Sequence, residues 1–252
     1  TVRESRNSVG NPRSTPIILG LDVTGSMKDI VHDIMKFTLG AVIHGIFDRK
    51  PVSDPHIAFA AFGDVTAGDS APLQITQFES DAVMLEQLSK IWVEAGGGPA
   101  GHESYNLPWH LAAYHTSADA FEKDDRKGYI FTFGDDGPPP DLNINDLARV
   151  YGRRDEVVAT NAQILEKLAT MYHVFHIDLT RRSESVYIKD KWQKVLGQNY
   201  MYLSDHTKLG ELIVSTMQVV NGASVESVAG SWGEMTGAVV SKSLAHYKSA
   251  VT

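Results

Sequence analysis

The chain has 252 residues, 42% hydrophobic and 21% charged, which suits one large globular domain with a sizeable core. It has no cysteine, so disulfides, zinc–thiolate sites and a cysteine nucleophile are excluded, and a reducing, cytoplasmic setting is the simplest expectation. A formal net charge of −8 argues against nucleic-acid binding, and no apolar run approaches the ~20 residues that span a bilayer, so neither nucleic acid nor membrane is expected as a partner.

Residues 1–14 are polar, without periodicity, and read as a flexible lead-in. Residues 16–21 form a continuous apolar run that ends at a polar loop, the pattern of a strand buried on both faces. Residues 27–47 follow with a helical stripe at Ile30, Ile34, Phe37, Ala41 and Ile46. Further strands are expected at 56–62, 73–78, 129–133, 173–178 and 200–203. Helices are expected at 82–93, 107–121, 157–172 and 209–220, with a glycine loop over 94–101. Strands alternating with helices imply an α/β fold: a doubly wound, mostly parallel sheet with helices on both faces. Residues 15–222 make up this domain. Asn221-Gly222 punctuates its end, and 223–252 read as an appended tail with a helix over 238–251.

In such sheets ligands sit beyond the carboxyl ends of the strands. The first buried strand runs into Asp22-Val23-Thr24-Gly25-Ser26. One carboxylate and two hydroxyls at alternate positions can face a common centre, and oxygen ligands suit a hard cation such as Mg²⁺. The same three residues could equally cap the following helix. Two more acids, Asp135-Asp136, directly follow the strand at 129–133, where uncompensated carboxylates are costly.

Strand–Asp-Val-Thr-Gly-Ser-Met–helix resembles the first motif of the metal-ion-dependent adhesion site of von Willebrand factor A (vWA) domains, in the form found in stand-alone intracellular and bacterial members. The resemblance covers about residues 14–222 and implies a Rossmann-like vWA fold. It implies Asp22, Thr24 and Ser26 as metal ligands, with Asp135 as the third-loop ligand and Asp136 as its alternative. The family's second motif carries a threonine; this chain departs from it, and Glu103 falls at the corresponding place. Glu103 is either a metal ligand, direct or through water, or a first-turn acid favoured by the helix dipole. Asp64 and Asp69 follow the second buried strand and either orient ligands from behind or solvate a loop. The cofactor implied is Mg²⁺, with Mn²⁺ or Ca²⁺ as alternatives. The function implied is a metal-dependent protein–protein interaction module in an intracellular assembly, docking a partner protein whose acidic side chain completes the metal shell. The alternative is a metal-dependent hydrolase of phosphatase or nuclease type on the same acids.

Other patterns lack their context. The Gly96–Gly101 text of a dinucleotide loop follows a helix rather than a strand, and His102-Glu103 lacks the second histidine of a zinc protease. His110 and His115, five apart on a helix, are expected to diverge, and His173 and His176 to lie on opposite faces of a strand. No catalytic residue is expected.

Overall fold

The computed structural model describes residues 2–93, 96, 102–180 and 184–248. Along the chain, β1 (Arg3–Ser5) precedes β2 (Thr15–Asp22), α1 (Lys28–Asp33), a π turn (Ile34–Thr38), α2 (Leu39–Arg49), β3 (Pro55–Phe62), β4 (Leu73–Ile75), α3 (Val83–Leu88), α4 (Asn106–His115), β5 (Thr116–Ala118), α5 (Asp119–Glu122) and β6 (Gly128–Gly134). There follow α6 (Ile144–Tyr151), α7 (Asn161–Leu168), β7 (Tyr172–Asp178), α8 (Val186–Leu196), β8 (Tyr200–Tyr202), α9 (Leu209–Val220), α10 (Val225–Gly230) and α11 (Glu234–Leu244). The main sheet runs β4-β3-β2-β6-β7-β8, parallel throughout except for the antiparallel edge strand β4.

The apolar runs account for this order. β2, β3 and β6 are buried at every position, as strands covered on both faces must be. Alternate residues feed opposite layers. Ile17, Leu19 and Leu21 pack with Phe59, Phe131 and Phe175 beneath α1, α2 and α9, while Ile18, Ala60, Phe62 and Ile130 pack beneath α4, α7 and α8 with Trp109 and Trp192. The Lys28–Arg49 helix is long and apolar enough, by length and composition alone, to cross a bilayer. Its apolar residues Ile30, Val31, Val42 and Ile46 instead sit in the first of these clusters.

The sheet and its covering helices follow the sequence expectation, and the differences are local. Residues 3–7 are not a free lead-in. β1 pairs in parallel with β5, and Arg6 reaches Asp119 (2.9 Å), Glu122 (2.5 Å) and Ser117. β5 exists because the helix expected over 107–121 breaks at Thr116. That residue turns extended, and its hydroxyl donates to the Ala112 carbonyl at 2.7 Å. The tail carries two helices, α10 and α11, separated at Gly233 (φ 76°), a backbone conformation that suits glycine. Val228, Val240 and Leu244 belong to the main core, so the tail is packed rather than merely appended. The helix expected from 157 starts only at Asn161, where Thr160 caps it by accepting from the Gln163 N–H. The polar helices α6 and α8 have no counterpart in the expected elements. The glycine loop apart from Gly96, residues 181–183 and residues 249–252 lie outside the described residues.

The Arg6 anchor has a testable consequence. Burial pushes the Asp119 carboxyl up, but hydrogen bonds from Lys123, the Asn7 N–H and Arg6 outweigh it and hold it at about 2. Arg6→Ala is expected to strip amide-exchange protection from Ser5 while lowering Tm by a few degrees at most, because half-exposed ion pairs contribute little. Retained protection at Ser5 would show that the strand pairing holds without its arginine.

Candidate metal centre

The acids collect where three loops leave the sheet. Asp22 ends β2 fully buried; its Oδ1 accepts from the Thr24 N–H (2.9 Å) and the Thr24 hydroxyl (2.6 Å). This closes the turn and leaves both lone pairs of Thr24 Oγ1 without a fixed donor among these bonds. Ser26, exposed, donates to Asp135 Oδ1 at 2.8 Å, and its Oγ lies 3.4 Å from that of Thr24. The β2 loop and the β6 loop therefore meet through hydroxyls that spend their protons on carboxylates and keep oxygen lone pairs for a cation.

Tyr105, at the start of α4, ties the two loops together from below. Its hydroxyl donates to Asp22 Oδ2 (3.0 Å) and accepts from the Asp136 N–H (3.2 Å). Trp192 donates its indole N–H to the Asp136 carbonyl at 3.0 Å. Gly134 leaves room for this bridge: a Cβ there would lie 2.2 Å from the Tyr105 hydroxyl and 2.7 Å from Asp22 Oδ2. Gly134→Ala is therefore expected to cost about 1–3 kcal/mol by overpacking, a Tm fall of roughly 2–12 °C by thermal melting. An unchanged Tm would mean that the bridge is not rigid.

Glu103 stands between the β3 and β6 loops. The Ser104 N–H donates to the Gly63 carbonyl (3.1 Å), the Val65 N–H donates to Ser104 Oγ (3.0 Å), and His102 bridges to Gly137. Glu103 is 3% exposed, and its Oε2 has no hydrogen-bond partner. Asp64 is 1% exposed; its Oδ1 accepts from the Thr66 N–H (2.8 Å) and hydroxyl (2.6 Å), and its Oδ2 has no partner. Asp69 Oδ2 accepts from the Asp64 N–H at 2.8 Å, so Asp69 shapes the loop that carries Asp64.

The electrostatics are those of crowded, dehydrated acids. Burial, then the charge of Asp135, raises the Asp22 carboxyl to about 7 against its hydrogen bonds. Burial and the charges of Asp22, Asp64, Asp136 and Asp69 raise Glu103 to about 9. Burial and Asp135 push Asp136 up, opposed by His102. Buried acids in this state suit a cation: the donors are hard oxygens, and two fully buried carboxylate oxygens are unmatched.

Sequence reasoning named Asp22, Thr24, Ser26, Asp64, Asp69, Glu103, Asp135 and Asp136, and all eight lie on this rim. It missed Tyr105, Trp192 and Asp178. Asp178 Oδ1 accepts from the Thr180 N–H (2.8 Å) and hydroxyl (2.5 Å), and its Oδ2 accepts from Tyr200 (2.8 Å). The signal was present as a repeated text: Asp22-x-Thr24, Asp64-x-Thr66 and Asp178-x-Thr180 follow three parallel strands. One expectation fails elsewhere. His110 and His115 do not diverge, for their rings lie 5.8 Å apart and, with Glu156, they form a cluster whose possible ligand atoms fall within 4.8 Å. Within it His115 Nε2 bonds Glu156 (2.8 Å), and His110 bonds the Tyr151 hydroxyl (3.1 Å) and the Val157 carbonyl (2.9 Å).

No protein-family model and no curated protein matches the chain. Solved structures do. The pilus adhesin SpaC from Lactobacillus rhamnosus GG aligns with 86% of the chain at a TM-score of 0.56 and 10% identity. Proximal thread matrix protein 1 from the mussel byssus aligns with 81% at 0.52 and 10% identity. The chain spans about a third of the adhesin (32%) and under half of the mussel protein (47%). These likenesses show the fold: a doubly wound α/β domain. A von Willebrand factor type A protein from Catenulispora acidiphila also aligns, over 81% of the chain at 15% identity, but at a TM-score of 0.45 it is too loose a match to argue from.

Proposed function

We propose that the chain is a vWA-type interaction module that holds a divalent cation, Mg²⁺ by ligand chemistry, and docks a partner protein through it. The observation that carries this reading is the junction of the Asp22–Ser26 loop with Asp135, where Ser26 Oγ lies 2.8 Å from Asp135 Oδ1 on the open side of the rim. Asp22, Thr24, Ser26, Asp135 and Glu103 would hold the ion. Ser26 and Gly25 are exposed, so the remaining coordination positions face solvent and a partner's carboxylate can reach them. Beside this loop, a groove of about 490 Å³ lined by Lys28, Lys36, Met35, Leu85 and Leu88 offers apolar contact with a basic edge, which suits an acidic partner surface. That one structural neighbour bears the name of an adhesin agrees with a binding role.

Calorimetric titration with Mg²⁺ tests the reading. Binding is expected for the wild type and is expected to weaken at least about tenfold in Ser26→Ala and Asp135→Asn. Absence of binding to Mg²⁺, Mn²⁺ and Ca²⁺, or affinities unmoved by both substitutions, would overturn it. Mg²⁺-dependent phosphatase turnover lost in Asp135→Asn would replace the docking role with a hydrolytic one.

A further inference from the structure

We propose that His110, His115 and Glu156 form a transition-metal site, Zn²⁺ by ligand chemistry, at the far end of α4 from the rim. α4 carries both histidines, and its 10 residues at ~1.5 Å each set His115 roughly 15 Å along the helix from the Glu103–Tyr105 turn. The site shares no residue with the rim, and its donors are of another kind. Its basis is convergence. One ligand atom from each of the three side chains lies within 4.8 Å of the other two. Bonds of ~2.0–2.1 Å to one tetrahedral Zn²⁺ put ligand atoms roughly 3.3 Å apart, so rotation of the side chains is enough to close on an ion. The three residues are 0%, 6% and 9% exposed, which leaves His115 and Glu156 a narrow opening to solvent through which an ion enters.

The hydrogen bonds decide which atoms have lone pairs to give. A carbonyl only accepts, so His110 Nε2, 2.9 Å from the Val157 carbonyl, carries the ring proton, and Nδ1 keeps the lone pair. Burial lowers this imidazole below its ordinary range and holds it in the neutral, ligating form. A ring N–H fixed by a backbone carbonyl is also the usual support of a metal-bound histidine. Nδ1 accepts from the Tyr151 hydroxyl at 3.1 Å, a bond that the metal would displace. Glu156 gives Oε1 to Arg153 (2.5 Å) and turns Oε2 to His115 Nε2 (2.8 Å), and the ion would take the place of the proton between them. Burial pushes the Glu156 carboxyl up, but hydrogen bonds from Arg153 and His115 outweigh it and hold it below the usual range, ionised.

A histidine–glutamate pair alone needs one imidazole. Here a second ring lies 5.8 Å from the first, and Tyr151 stabilises both planes, stacked on His115 at 4.4 Å and 5.5 Å from His110. Two imidazoles and one carboxylate are a ligand set that zinc takes, with its fourth position left to water. Mg²⁺ prefers oxygen alone, so the two sites sort ions by chemistry: the hard cation to the rim, the borderline one to this cluster. The ion would pin the end of α4 to the segment that follows α6, since Glu156 lies five residues beyond Tyr151, the last residue of α6.

Cobalt substitution on the full chain tests this. With Mg²⁺ in excess to fill the rim, one equivalent of Co²⁺ is expected to give the visible absorption of a four-coordinate site, and Zn²⁺ to displace it. The absorption is expected to persist in the rim variant Asp135→Asn. Zn²⁺ affinity is expected to fall at least about 100-fold in His115→Gln and in Glu156→Gln. In the wild type, one equivalent of Zn²⁺ is expected to move the imidazole nitrogen resonances of His110 and His115 and leave those of His173 and His176 in place, a readout that needs no variant. Absence of the cobalt absorption, its loss in Asp135→Asn, a Zn²⁺ affinity unmoved by either substitution, or resonance shifts confined to other histidines would overturn the proposal.

Discussion

Asp22→Asn is expected to lower Mg²⁺ affinity at least about 100-fold and, in the absence of metal, to make the protein more stable than the wild type. The two effects have one cause. Asp22 is fully buried at the end of β2, and burial with the nearby Asp135 charge raises its carboxyl to about 7. At pH 8 without a cation the ionised form therefore costs the native state on the order of 3–4 kcal/mol relative to an ordinary aspartate. Asparagine keeps an oxygen for the Thr24 N–H and hydroxyl and can turn its amide toward the Tyr105 oxygen, so the geometry survives without the charge. A bound ion in sufficient excess reverses the order, because a ligand at 1,000 times its Kd stabilises the native state by about 4.1 kcal/mol. Thermal melts in chelator and in excess Mg²⁺ should cross: the variant melts higher in chelator, and only the wild type gains on adding metal. Equal gains in both proteins would mean that Asp22 is not a ligand.

How much of this was legible beforehand depends on sequence distance. The buried strands β2, β3 and β6 read directly, since runs such as Pro16–Leu21 allow few other readings. The Asp22–Ser26 loop read directly because its three oxygens lie within five residues. Glu103 and Asp135 were placed by what precedes or follows them, a helix start and a strand end, and their approach to Asp22 is a property of sheet order. Tyr105 was invisible because an aromatic residue in a first helical turn has the same text whether it fills a core or bridges two loops. Pairing of β1 with β5 was invisible for another reason: two three-residue polar segments 113 positions apart carry no hydrophobic alternation to announce it. The convergence of His110 with His115 escaped the helical wheel because His115 is the last residue of α4, where side-chain direction follows the next segment and not the helix.

Metal affinity should climb steeply with pH, by about tenfold or more per unit between pH 6 and 8. Cation binding needs ionised carboxylates, and in the metal-free protein Asp22 sits at about 7 and Glu103 at about 9. Binding of the ion must therefore displace between one and two protons in this range. Calorimetry in two buffers of different ionisation enthalpy counts them, and release of no proton at pH 6.5 would sink the assignment of both acids. The same shifts set the stability profile of the metal-free chain. A carboxyl raised above its unfolded value contributes stability that is present below about pH 4 and lost as pH rises through its folded value. Asp22 and Glu103 thus give an alkaline loss between about pH 4 and 9. His176 and His173 act in the opposite direction: burial lowers them to about 3 and about 4, so their stability is full above about 6.5 and falls away as the pH drops toward those values. Metal should abolish the alkaline loss and leave the acid loss in place, since the ion holds the carboxylates ionised but touches neither histidine. A melting-temperature profile whose alkaline limb flattens with Mg²⁺ while its acid limb stays put would place the ion among the rim acids; a uniform upward shift at all pH values would place it outside them.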